Sequence, residues 1–120
     1  MDEAEGLHRP PVAGVEERAG AIIVELVGEL DLYNAHLVRE QLFAAAADDP
    51  ERLLVDLSGV TFIDSTGLGV LIEARTRMQN RRAFMLVGPK LETRRALEIS
   101  GLDQHFAVHD SLDEAMSAAL

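Results

Sequence analysis

The chain contains no cysteine, which excludes structural disulfides, thiolate metal sites and cysteine nucleophiles. No apolar run approaches the ~20 residues that a membrane-spanning helix needs. The N-terminus also lacks the basic region and apolar stretch of a secretory signal. These absences point to a cytoplasmic protein without a membrane partner. Basic side chains are scarce, 11 against 21 acidic, for a formal net charge of −10 over 120 residues. A phosphate backbone repels a domain this acidic, so direct nucleic-acid binding is not expected. What is present, 48% hydrophobic and 27% charged residues, suits one globular domain. A chain of this size buries roughly two-thirds of its unfolded surface and needs no metal or cofactor to hold it together.

The charge is uneven. Residues 73–95 hold Arg75, Arg77, Arg81, Arg82, Lys90, Arg94 and Arg95 against Glu73 and Glu92. Such a dipolar chain suits a protein partner with its own charge pattern. Arginine gathered at helix C-termini, complementing the helix dipole, accounts for the same clustering.

Residues 1–11 are acidic, contain Gly6, Pro10 and Pro11, show no apolar period and read as a disordered lead-in. From residue 12 to 120, strand-like and helix-like stretches alternate. Val12–Glu17 and Ala21–Val27, joined at Ala19-Gly20, predict a hairpin. Gly28-Glu29-Leu30-Asp31 then leaves the strand, and Asn34 is placed to cap a helix over Ala35–Ala47. Arg52–Leu57 predicts a buried strand, Ser58-Gly59 a turn, and Val60–Ile63 the approach to a helix over Ser65–Gln79. Ala83–Val87 and Phe106–Val108 predict further strands. Leu91–Ile99 predicts a helix closed by Gly101, and Ser111 with Glu114 fits the capping-box spacing of a last one. The alternation requires crossovers, hence an α/β fold with a central, mostly parallel sheet, an N-terminal hairpin and about four helices. Phe43, Phe62, Phe84 and Phe106 are expected in the core.

The segment Val60–Val70 is the most informative. Two hydroxyls follow Asp64 where a strand hands over to a helix, and Gly67 and Gly69 lie inside the first helical turns. Glycine costs about 1 kcal/mol in a helix interior, so its presence points to a close approach of backbone or ligand. At 100° per residue, Gly67, Val70, Leu71, Ala74 and Met78 share a core stripe. Ser65, Gly69, Ile72 and Thr76 lie opposite, with Leu68 at the edge. Three roles are open to Ser65. Ser65 or Thr66 caps the helix, Ser65 is a nucleophile, or Ser65 accepts a phosphate that adds about −1.5 to −2 charges to a docking face. Nucleophilic catalysis is disfavoured, because the Gly-x-Ser-x-Gly elbow is missing and nothing links His36, His105 or His109 to Ser65.

Gly28-Glu29-Leu30-Asp31, Leu54-Val55-Asp56-Leu57-Ser58, Phe62–Leu71 and Arg94–Leu102 together resemble the anti-sigma factor antagonists, the single-domain STAS proteins of bacteria. The resemblance covers about residues 12–120. It implies a non-enzymatic regulator, a monomer or weak dimer, in which Ser65 is the phosphorylation site. Its implied partners are an anti-sigma factor serine kinase, held by the unphosphorylated form so that a sigma factor is freed, and a PP2C-type serine phosphatase that restores that form. The implied partner-binding residues are Glu29, Asp31, Asp64, Thr66, Gly67, Leu68, Gly69 and Ile72. For Glu29 and Asp31, capping of the following loop is an equal alternative, as a turn-forming role is for Asp64. Thr66 is either a second phosphoacceptor or a first-turn residue. A two-component receiver domain, with Asp56 as phosphoacceptor, is the rival outside the family. Scaffold subunits of stress-signalling complexes and accessory subunits of transporters are rivals within the fold.

Overall fold

A long parallel strand pair sets the shape of the molecule. The structure, a computed structural model, describes residues 10–120, so most of the expected lead-in lies outside the described residues. Pro11 is buried, and its carbonyl accepts a hydrogen bond from the Val27 amide at 2.9 Å. The strands are β1 (Val12–Arg18), β2 (Ala21–Leu30), β3 (Arg52–Ile63), β4 (Phe84–Val87) and β5 (Ala107–His109). The helices are α1 (Ala35–Ala47), α2 (Ser65–Thr76), α3 (Leu91–Ser100) and α4 (Leu112–Ser117), with 3-10 turns at Arg81–Ala83 and Leu102–Gln104. One sheet runs in the order β1-β2-β3-β4-β5. Its β1 edge is antiparallel and every other pairing is parallel.

The β1–β2 hairpin turns through Ala19 (φ 49°) and Gly20 (φ 84°), with Arg18 paired to Ala21. Two central residues at positive φ match the type I′ turn, whose twist suits antiparallel strands. Alanine tolerates this region poorly and asparagine much better. Ala19→Asn is therefore expected to raise stability by about 0.5–1 kcal/mol, read as a rise of a few degrees in Tm.

The strands β2 and β3 extend further than their sequence suggests. Gly28 (φ 76°) does not end β2, and Ser58-Gly59 does not divide β3. Between Glu25↔Asp56 and Val27↔Gly59, and again between Gly28↔Val60 and Glu29↔Phe62, β3 advances one residue more than β2. These are bulges, which glycine and a short side-chain turn accommodate. The turn is made by Asp56, whose Oδ1 accepts from the Ser58 amide (3.0 Å) and the Ser58 hydroxyl (2.7 Å). The strand pair therefore runs on to Leu30↔Ile63, whereas β4 leaves β3 at Val87↔Asp56.

Parallel crossovers of one hand, taken in strand order, place α1, α2 and α3 on the same face. Val38 and Leu42 of α1, Val70 and Leu71 of α2 and Leu97 of α3 pack there with Ile22, Val24, Leu26, Leu53, Val55 and Phe84. The short α4 covers the other face, where Ala115 meets Ile23, Leu54, Met85 and Val87. Its Ser111 cap accepts from the Glu114 amide at 3.1 Å. The returning Glu114 carboxylate reaches the Asp110 amide, one residue before the cap. Gly101 (φ 76°) closes α3 as expected. The order 1-2-3-4-5 with an antiparallel first strand differs from the 2-1-3-4-5 order of receiver domains. The fold thus removes that rival.

Two further expectations are corrected. Phe62 is 51% exposed, whereas Phe84 and Phe106 are buried and Phe43 is partly buried. The second bulge in β3 turns Phe62 outward and Ile63 inward. The basic residues of 73–95 also form no single patch. Arg75 and Arg77 lie at the C-terminal end of α2, the latter stacked on Phe43 at 4.3 Å. Arg81 and Arg82 precede β4, while Lys90, Arg94 and Arg95 follow it, at its opposite end.

Candidate functional site

The parallel pair β2–β3 ends with Leu30 beside Ile63, and each strand passes directly into a helix. The loop before α1 and the start of α2 therefore meet at the carboxyl ends of the strands, where α/β folds place their sites. Asp64 joins the two. Its amide donates to the Leu30 carbonyl at 3.0 Å. One carboxylate oxygen accepts from the Gly67 amide at 2.9 Å and caps α2, and the other accepts from the Leu32 amide at 3.2 Å. The helix cap is thus Asp64, not Ser65 or Thr66. Asp64 thus has a local role, extended by a tie to the neighbouring loop.

That loop is fixed by its own side chains. Asp31 Oδ1 accepts from the Tyr33 amide at 3.0 Å. Asn34 Oδ1 accepts from the Asp31 amide at 2.9 Å, and Asn34 Nδ2 donates to the Glu29 carbonyl at 2.7 Å. Asn34 precedes α1 as expected, yet its side chain makes no bond to the helix N-terminus. It closes the loop instead. Asp31 is partly buried in these bonds, whereas the Glu29 side chain is exposed.

With the cap provided by Asp64, Ser65 occupies the first position of α2 and is exposed. Its hydroxyl makes no hydrogen bond to another described residue. No bond joins it to His36, His105 or His109, and the described residues contain no group of three metal-ligating side chains. The wheel assignment of α2 is recovered. Gly67, Val70, Leu71, Ala74 and Met78 are buried, Ser65, Ile72 and Thr76 are exposed, and Thr66, Leu68 and Gly69 lie between. The two glycines have different reasons. A Cβ on Gly67 would come within 2.8 Å of Ile63 Cγ1 and 3.2 Å of the Leu30 carbonyl, so this residue lets the helix close onto the strand ends. Gly67 is turned inward and serves packing. A Cβ on Gly69 would meet nothing within 4 Å. Gly69 leaves a shallow place on the outer face, next to Ser65.

Of the apolar groups around this hydroxyl, the sequence pattern marks Ile72 as outward-facing but not Leu32. Leu32 is 68% exposed and Tyr33 85%, both on the fixed loop, and Ile72 is 40% exposed on the Ser65 face of α2. A strand exit such as Gly28–Asp31 signals a loop but not which of its following side chains project. Among the described residues Glu29, Asp31 and Asp64 form no ion pair; Arg39–Glu73 (3.2 Å) ties α1 to α2 further along.

A five-stranded sheet of this order, with a capped strand-to-helix junction after β3, defines a STAS domain, and residues 13–115 match the model of that family. The anti-sigma-F factor antagonist RsfB of Mycobacterium tuberculosis is 31% identical over 103 residues, spanning 86% of this chain and 84% of that protein. The crystal structure of an anti-sigma factor antagonist from Mycobacterium paratuberculosis has a TM-score of 0.81 at 33% identity, covering 87% of this chain and 89% of that one. The Bacillus cell fate determinant SpoIIAA in its phosphorylated form shares the fold alone, with a TM-score of 0.64 at 20% identity over 86% of this chain and 95% of that one. The chain belongs to the STAS-domain family of anti-sigma factor antagonists.

Proposed function

We propose that this protein antagonises an anti-sigma factor by binding it through the α2 surface around Ser65, and that phosphorylation of Ser65 ends the binding. The observation that carries this reading is the exposed Ser65 hydroxyl, which bonds to no other described residue, the cap of the helix being Asp64. The anti-sigma factor is a serine kinase. It transfers the γ-phosphoryl of ATP to Ser65 Oγ, ADP leaves, and the hydroxyl proton passes to a base of the kinase. A PP2C-type phosphatase hydrolyses the phosphoserine and restores the binding form. The protein itself acts by binding rather than catalysis, in the cytoplasm. While it occupies the anti-sigma factor, the sigma factor is free to join RNA polymerase.

The local physics supports this switch. Phosphate at the first position of a helix meets free amides and the positive end of the dipole, so the fold tolerates it. The same dianion under a partner must be stripped of water, which is costly. Incubation with the kinase and labelled ATP is expected to introduce one phosphoryl group, and Ser65→Ala to abolish labelling while retaining binding. Undiminished labelling of Ser65→Ala would place the acceptor elsewhere.

A further inference from the structure

The loop between β2 and α1 carries two large apolar side chains into solvent, and it is unusually well fixed for a segment that does so. Leu32 is 68% and Tyr33 85% exposed. Their amides are held by Asp64 Oδ2 and Asp31 Oδ1, and Asn34 closes the loop onto Glu29 and Asp31. The Leu32–Asp64 bond sets this loop against Ser65, the next residue in the chain. Ile72 lies on the same face of α2, about 10 Å along the axis. An exposed tyrosine on a rigid support is a usual anchor of protein interfaces, and an aliphatic neighbour adds apolar area, since little conformational entropy remains to be lost on binding.

The charges around these anchors indicate what they fit. Both oxygens of Asp64 and one of Asp31 are spent on backbone amides inside the loop junction. Asp64 thus serves as an internal tie through both oxygens and Asp31 through one, and Glu29 stands exposed beyond them. We infer that Leu32 and Tyr33 are the principal anchors of this surface and enter an apolar cleft of the protein partner, with Ile72 and the neutral Ser65 hydroxyl beneath the same contact. This rests on the reading of the Ser65 face as the partner-binding face. It also explains why a phosphoryl group is disruptive there. A basic cleft would welcome the dianion, whereas an apolar one would have to desolvate it. Asp64, Asp31 and Asn34 are then positioning residues.

Tyr33 is the only tyrosine, so protein labelled with 3-fluorotyrosine gives a single fluorine resonance that reports this position. Addition of the anti-sigma factor kinase that labels Ser65 is expected to shift or broaden that resonance, saturating at one equivalent. Leu32→Ala and Tyr33→Ala are each expected to weaken binding about ten- to hundredfold and Tyr33→Phe less than threefold. Phe62→Ala, at an exposed apolar side chain of β3, is expected to leave binding unchanged. Affinity is expected to vary less than about fivefold between low and high salt. An unmoved resonance at saturation, unaffected alanine variants, an equal loss in Phe62→Ala, or a steep salt dependence would each overturn the assignment while leaving Ser65 as phosphoacceptor. Failure of the wild-type protein to bind the kinase would instead overturn the functional reading on which the assignment rests.

Discussion

Asp64→Ala is expected to lower stability by about 1–2 kcal/mol and to weaken partner binding, whereas Asp64→Asn weakens binding with little effect on stability. The two oxygens of Asp64 serve different elements, one the Gly67 amide and the other the Leu32 amide. Alanine removes both bonds. Loss of a helix N-cap alone costs roughly 1 kcal/mol, and the freed Leu32 amide, already exposed, is taken up by water. For a domain of this size that corresponds to a Tm lowered by about 5–10 °C. Asparagine caps helices about as well as aspartate, but it has one acceptor oxygen. With that oxygen on Gly67, its amide group faces Leu32 as a donor and cannot accept the Leu32 N–H. The loop loses its tie while α2 keeps its cap. Thermal melts of the three proteins alongside kinase titrations separate the effects. If Asp64→Asn bound as tightly as wild type, the tie to Leu32 would have no part in recognition.

Ser65→Glu is expected to weaken binding to the kinase at least tenfold without loss of stability. The substituted position is the first residue of α2, whose first turn carries no acidic residue. A carboxylate there interacts favourably with the helix dipole, worth about 0.3–1 kcal/mol, so Tm should hold or rise slightly. In the complex the same carboxylate is buried against an apolar surface and must lose its hydration. A tenfold loss of affinity corresponds to about 1.4 kcal/mol, a modest demand for a buried anion. Ser65→Ala removes only a hydroxyl that bonds to no other described residue and is expected to bind within about threefold of wild type. The pair therefore distinguishes charge from the mere loss of the hydroxyl. Equal weakening in both variants would show that the hydroxyl itself makes a contact in the complex, and the switch would need another cause.

Most of the architecture was legible because it rests on local signals. The period of Val38, Leu42, Ala45 and Ala46 marks α1, the glycine after α3 adopts the left-handed conformation expected of a C-cap, and Phe84–Val87 is buried on both faces as a central parallel strand should be. The misreadings arose where non-local pairing overrode a local signal. Gly28 and Ser58-Gly59 look like turns, yet parallel pairing of β2 with β3 carries the chain through them as bulges. Each bulge shifts the alternation of faces by one residue, which is why the inward series Leu53, Val55, Leu57 continues as Val60 and Ile63 and leaves Phe62 outside. The packing of α4 on the reverse face is set by tertiary contact and has no sequence signature.

The candidate site divides in the same way. The outward face of Ser65, Gly69 and Ile72 follows from helical geometry and was readable. Which acidic or hydroxyl group caps α2 was not, because Asp64, Ser65 and Thr66 are all competent caps and only the backbone conformation at Asp64 (φ −94°, ψ −177°) decides among them. The bond from Asp64 to Leu32 spans 32 positions of sequence, and with it the anchoring loop was hidden.

The switch is tested most directly by comparing fully phosphorylated with unphosphorylated protein in calorimetric titrations against the same kinase, with a thermal melt of each form. The expected result is an affinity at least a hundredfold lower for the phosphorylated form, with the two melting temperatures within about 3 °C. Equal affinities, or a loss of affinity accompanied by unfolding of the phosphorylated form, would contradict a switch that acts at the Ser65 surface of an unchanged fold.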